Sequence, residues 1–192
     1  MSLFSFDKEL AEKAFKEVDA SLVEKGLPPL SLILCGAAAL IVKHDLKRKT
    51  ADIDTLVRTG NSSVYGIGTI LAKYGLHIIS EALLCLHPDY SERVEEFERY
   101  RKLVVYTLGP YDLAISKIAR GFEKDREDLF QSTLLQSIDF DKLKKLYFEA
   151  LKYWVGREQE YKQNWDLFEE EYCARFGQDP DAPAPEASPV PD

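Results

Sequence analysis

The chain has 192 residues, of which 45% are hydrophobic and 30% charged, and carries a net charge of −8. That is length enough to bury a core as one domain, or one domain with a helical appendage. The acidic balance argues against a coat for nucleic acid, whose non-specific affinity comes from lysine and arginine neutralising phosphates. Cys35, Cys85 and Cys173 are widely spaced and form no C-x-x-C, so neither a disulfide framework nor a zinc site is indicated. No apolar run approaches the roughly 20 residues of a membrane span, and the N-terminus lacks the basic and apolar regions of a secretion signal. A cytoplasmic protein with no membrane partner is expected.

In chain order, Phe6, Leu10, Ala14, Val18 and Leu22 recur every fourth residue and predict a helix, stopped by Gly26 and the Pro28-Pro29 pair. "LSLILC" reads as a buried strand, and a compact helix follows Gly36. "DIDTLV" alternates as a strand, and "NSSVYGIGTILAKYG" reads as a helix closed by Gly75. Residues 76–86 fit strand or helix equally. "ERVEEFERYR" reads as a surface helix or loop, "KLVVYTL" as a strand, and residues from Pro110 to about Phe176 as helical. Residues 177–192, rich in proline and alanine, read as a disordered tail. The order predicts an α+β fold: a core over residues 1–130 with an N-terminal helix, then C-terminal helices over 131–176.

Several familiar sites are absent from this sequence. Gly66 and Gly68 have Leu71 where a Rossmann fingerprint needs a third glycine, and no strand is expected immediately before them. There is no P-loop and no G-x-S-x-G, and His44, His77 and His87 are isolated histidines.

Asp52 and Asp54 are the chemistry-bearing pair. Alternation places both carboxylates on one strand face, where they repel unless something positive lies between them. Magnesium, or manganese, suits such a site, since it takes oxygen ligands from one or two carboxylates plus substrate phosphates. A plainer reading is a strand entry or capping turn. Upstream, Cys35-Gly36-Ala37 runs from a strand into a helix and offers free amides at a positive dipole end. The basic run "KHDLKRK" lies between the two elements, where it serves as a solvated loop or a local basic patch.

Together, the glycine turn opening a helix and the following D-x-D strand resemble the nucleotidyltransferase superfamily with the polymerase-beta-like fold. A second stretch, "YDLAISKIARGFEKDREDL", has Asp112 and Lys117 in D-x-x-x-x-K, then Lys124-Asp125-Arg126-Glu127-Asp128. This pair is similar to motifs of the AbiEii-like nucleotidyltransferases of bacterial toxin and antitoxin systems, over roughly residues 30 to 130. The resemblance implies a metal-dependent nucleotidyltransferase that uses a nucleoside triphosphate. Asp52 and Asp54 would hold magnesium and act in catalysis with Lys117 and Asp125. Gly36, Ala37, Lys117 and Asp128 would meet the nucleotide. The acceptor would be tRNA or another RNA end, a protein hydroxyl or a small molecule, and a cognate antitoxin or other protein is an expected partner.

Read without the family, Lys117 could reach a phosphate, Asp112 could cap its helix, and Asp125 and Asp128 share a helical face. An exposed, salt-bridged helix competes with that reading. Ala37 stands where the superfamily has Ser or Gly, and "KLVVYTL" carries no acidic residue, so a third carboxylate must come from Asp125, Asp128 or Glu81. The alternative is a catalytically inactive module that binds a nucleotide or protein. Tyr147, Leu151, Trp154, Tyr161, Trp165, Phe168 and Tyr172 recur at helical spacing across Gly156, as a packing seam or a base-stacking surface.

Overall fold

The structure is a computed structural model and describes residues 7–177. Of the tail expected over 177–192 only Gly177 is described, and the rest of it and the stripe residue Phe6 lie outside the described residues.

Helix α1, Lys8–Glu24, begins where the Asp7 carboxylate accepts the Leu10 amide at 3.0 Å. It buries Ala14, Val18 and Leu22 of the apolar stripe, together with Ala11 and Phe15, while Leu10 is partly buried. β1, Leu30–Leu34, reaches Cys35 and turns directly into α2, Gly36–Lys43. Then come β2, Ile53–Thr59, α3, Asn61–Lys73, and β3, Leu76–Ile78. β4, Glu95–Arg99, and β5, Leu103–Thr107, complete one sheet of order β3-β2-β1-β5-β4. β1 runs parallel to β5 and antiparallel to β2, while β3 is parallel to β2 and β4 antiparallel to β5.

α1 packs against α3 and β5, and α2 packs against β2. Asp19 fastens α1 to the sheet, because its carboxylate accepts the Lys102 and Leu103 amides at 2.6 and 3.0 Å. The helical half comprises α4, Pro110–Arg120, α5, Glu123–Gln131, α6, Phe140–Leu151, and α7, Glu158–Phe176. α4 touches α5, α6 and α7 and also α2, so it joins the helical half to the core. The aromatic run is a packing seam within this chain. Trp165 lies 5.0 Å from Tyr147 and 5.6 Å from Phe168, ring centre to ring centre, and all three are buried. Among the described residues no helix is long and apolar enough to cross a membrane.

This α+β arrangement is the expected one, with three local differences. Residues 95–99 form an edge strand rather than a helix or loop, paired on one side only to β5. An edge strand is where a run of charged side chains is tolerated and discourages pairing with other chains. Residues 76–86 resolve into the three-residue β3 and a 3-10 turn at Glu81–Leu83. β2 does end just before α3, but Gly66 and Gly68 sit inside that helix and the turn falls at Gly60. Gly66 serves packing, since a Cβ there would meet Leu27 Cδ1 at 2.5 Å.

Candidate active site

The turn from β1 into α2 is built on Gly36, whose φ of +56° is one that side-chain-bearing residues rarely adopt. The N-cap residue Cys35 makes no side-chain bond to the first amides of α2, which stand at the positive end of the helix. A Cβ added to Gly36 would lie 3.9 Å from Asp54 Oδ2. The two chain segments are also joined through their backbones, the Cys35 amide donating to the Asp54 carbonyl at 2.9 Å. Gly36 and Asp54, distant in sequence, are thus neighbours.

Asp54 pairs in register with His77 on β3. His77 Nε2 lies 3.5 Å from Asp52 Oδ1, so the three side chains share one face at the start of β2. Asp52 and His77 are largely exposed, with side-chain exposures of 73% and 55%. The same face continues to Arg58, whose guanidinium sits 4.7 Å from the centre of the Tyr106 ring. Cys35 carries no chemistry of its own. Burial, joined by the charges of Asp54 and Glu81, pushes its thiol well up.

Residues 79–93 pass over this end of the sheet. They leave β3 where the Ile79 amide donates to Thr55 of β2. They finish against the β5–α4 turn, where a Cβ on Gly109 would lie 2.4 Å from the Arg93 carbonyl oxygen. Because β1 lies between β2 and β5, the segment passes the end of β1, where Cys35 and Gly36 follow. Glu81 accepts a short hydrogen bond from the Tyr90 hydroxyl. Burial and the Glu81 charge raise the pKa of that phenol, so it remains a donor.

The second predicted group forms elsewhere. Lys117 Nζ bonds Asp125 Oδ1 and Asp128 Oδ2, both at 2.7 Å, and its side chain is 2% exposed. Arg48, from the basic run, binds both oxygens of Asp128. Asp125 Oδ2 has no hydrogen bond but lies 3.2 Å from Arg120 Nε. Burial acts to raise the Asp128 pKa, yet hydrogen bonds from Arg48 and Lys117 outweigh it and hold the carboxyl below its ordinary value. Asp112 does not cap α4, whose N-cap is Gly109. It is fully buried and paired with Arg93 through two bonds of 2.8 and 2.9 Å.

The predicted residues therefore fall into two groups. Gly36, Ala37, Asp52 and Asp54 cluster at the β1–α2 turn and the start of β2, while Lys117, Asp125 and Asp128 neutralise one another beside Arg48. The sequence offered no sign of His77, whose place depends on strand register, or of Tyr90 and Arg93, whose partners lie 9 and 19 residues away. Among the described residues no group of three His, Cys, Asp or Glu side chains is arranged to hold a metal ion. Asp52 and Asp54 offer two carboxylates, and an ion held there would need substrate phosphates to complete its oxygen ligands rather than a cage made by protein alone.

A central β1 turning through glycine into a helix, beside a strand that opens with paired aspartates, is a nucleotidyltransferase-like architecture. The family described as "Nucleotidyltransferase of unknown function (DUF6036)" matches residues 13–173, and the chain belongs to it. Among solved structures, an antigenic nucleotidyltransferase-like protein from Paracoccidioides brasiliensis is similar in fold, with a TM-score of 0.50 at 11% identity. The likeness covers 91% of this chain and 94% of that one. No curated protein matches the sequence.

Proposed function

We propose that the protein transfers a nucleotidyl group from a nucleoside triphosphate to an acceptor at the Gly36–Asp54 site, in a magnesium- or manganese-dependent reaction. The observation that carries this reading is the Asp54 carboxylate set against the positive-φ glycine that opens α2. It places a carboxylate beside the first amides of α2, the combination that a metal-bound phosphate chain needs.

The amides of Gly36 and Ala37 bind the phosphates, and the missing hydroxyl at Ala37 leaves this work to the backbone. Asp52 and Asp54 would hold the metal, which when bound supplies charge neutralisation at the α-phosphate. The acceptor oxygen attacks that phosphorus in line and pyrophosphate leaves. Lys117, with Asp125 and Asp128, acts from behind as a positioning group, because Arg48 ties this cluster to the loop that leads into Asp52. The D-x-x-x-x-K and K-D-x-x-D stretches support a place beside the AbiEii-like enzymes, including a toxin role with a cognate partner. One observation favours the silent binding module instead: β5 presents no carboxylate toward Asp54.

Titration calorimetry tests the reading. Magnesium binding that requires a triphosphate, and that vanishes in the Asp52→Asn, Asp54→Asn double variant, supports it. Equal binding by the double variant removes these residues from the site.

A further inference from the structure

A cavity of about 350 Å³ opens between residues 81–90 and the connection from α6 to α7. Its walls are mainly apolar and aromatic, from Leu84, Leu86, Tyr90 and Trp154, with Glu81 and His87 as the polar groups. That volume and lining are those of a small-molecule site. The cavity belongs to the same end of the sheet as Gly36 and Asp54, since Glu81 and Tyr90 are part of the segment that passes the end of β1. Glu81 follows by two residues on Ile79, whose amide donates to the Thr55 carbonyl, and Thr55 pairs with Leu34 at the end of β1, next to the Cys35-Gly36 turn.

The charges around the cavity select its occupant. Glu81 lines it, and His87 is flanked by Asp89 at 3.7 Å and Glu149 at 3.4 Å. Glu81 in the wall, and Asp89 and Glu149 beside His87, with no lysine or arginine in the lining, repel a polyanion such as an RNA 3′ end. A neutral or cationic molecule with an apolar or aromatic body is suited both to the walls and to their charge. Tyr90 holds the Glu81 carboxylate by one oxygen, which fixes its direction and leaves the other oxygen as an acceptor.

We infer that this cavity binds the acceptor, a small neutral or cationic compound with a hydroxyl group, and that Glu81 takes the proton of that hydroxyl as it attacks the α-phosphorus. The inference rests on the nucleotidyl-transfer reading of the Gly36–Asp54 site. In the step, the acceptor O–H bond breaks and its proton passes to the Glu81 carboxylate. An O–P bond forms, and the bond from the α-phosphorus to the bridging oxygen breaks to release pyrophosphate.

The test uses the full chain with α-labelled triphosphates, magnesium, and separated cationic, neutral and anionic small-molecule fractions of a cell extract, alongside total RNA and protein. Label should enter the cationic or neutral fraction. Glu81→Gln, which keeps the contact to Tyr90, should lower transfer by about 100-fold or more, the usual scale of a lost general base. Ala82→Phe, which fills the cavity, should abolish transfer. Both variants should bind triphosphate in calorimetry as the parent does. Label found only in RNA, in protein or in the anionic fraction overturns the inference, as does no transfer at all while Asp54-dependent triphosphate binding persists. If Ala82→Phe weakens the binding of nucleoside triphosphate but not of inorganic tripolyphosphate, the cavity holds the base and the acceptor assignment fails. Loss of Asp54-dependent binding in the parent protein would instead strike the underlying reading.

Discussion

Replacing Lys117 with methionine keeps the aliphatic stem and deletes the charge. Were the side chain exposed, folding would lose less than about 1 kcal/mol. It is 2% exposed and makes two 2.7 Å bonds to carboxylates that are themselves 8% and 1% exposed. Breaking a buried pair from one side costs about 3–5 kcal/mol. Arg48 still holds Asp128 and Arg120 still faces Asp125, so the lower end, about 3 kcal/mol, is expected. For a chain of this size that corresponds to a fall in Tm of about 6–12 °C.

The loss should depend on pH. The folded-state pKa of Asp128 is depressed, so its contribution is present above the unfolded carboxylate pKa and is lost as pH falls through the folded value. The variant loses one of the two cations responsible. The gap between parent and variant, measured by urea unfolding, should therefore be widest near neutrality and narrow as pH drops below about 4. Adding Asp125→Asn to Lys117→Met should recover part of the deficit, because it removes the buried carboxylate that loses its one hydrogen bond while Asp128 keeps Arg48. A deficit under about 1 kcal/mol that is flat with pH would refute a buried, charge-neutralising role.

Gly36→Ala should cost about 1–2 kcal/mol, from forcing a side-chain-bearing residue to positive φ, and should weaken triphosphate binding more than it lowers Tm. Comparing chemical denaturation with calorimetry on one preparation separates the two effects. Asp54→Asn should leave urea stability within about 0.5 kcal/mol, the range of surface changes, while abolishing metal-dependent triphosphate binding. Arg93→Ala should destabilise by about 3 kcal/mol or more, because it leaves Asp112 buried and unpaired, and a thermal melt unchanged by it would contradict that pairing.

The parts of the candidate site that were legible have local signals. Gly36 marks a turn wherever it stands, and the spacing of Asp52 and Asp54 declares a shared face through strand alternation alone. Lys117, Asp125 and Asp128 were also visible as a set, but their burial was not. The partner that closes the cluster, Arg48, lies 80 residues from Asp128, and no local pattern reports such a pairing. β4 escaped detection because an edge strand with several charged side chains lacks the alternation that reveals a half-buried one. β3 has only three residues, too few for any period to show. His77 was set aside as an isolated histidine, and only the register of β3 against β2 brings it to Asp52.

The two tryptophans occupy very different surroundings, and this makes them natural optical probes. Trp165 is 1% exposed inside the aromatic seam, with its indole N–H bonded to Glu169 at 3.1 Å. Trp154 is half-buried, donates to the Tyr161 hydroxyl and lines the cavity beside Glu81. Acrylamide should therefore quench emission in two fractions, a shielded one that reports integrity of the helical half and an accessible one that reports events at the cavity. A Trp154→Phe protein would give a fluorescence signal of unfolding alone, and a Trp165→Phe protein a signal of ligand entry, without a label attached to either.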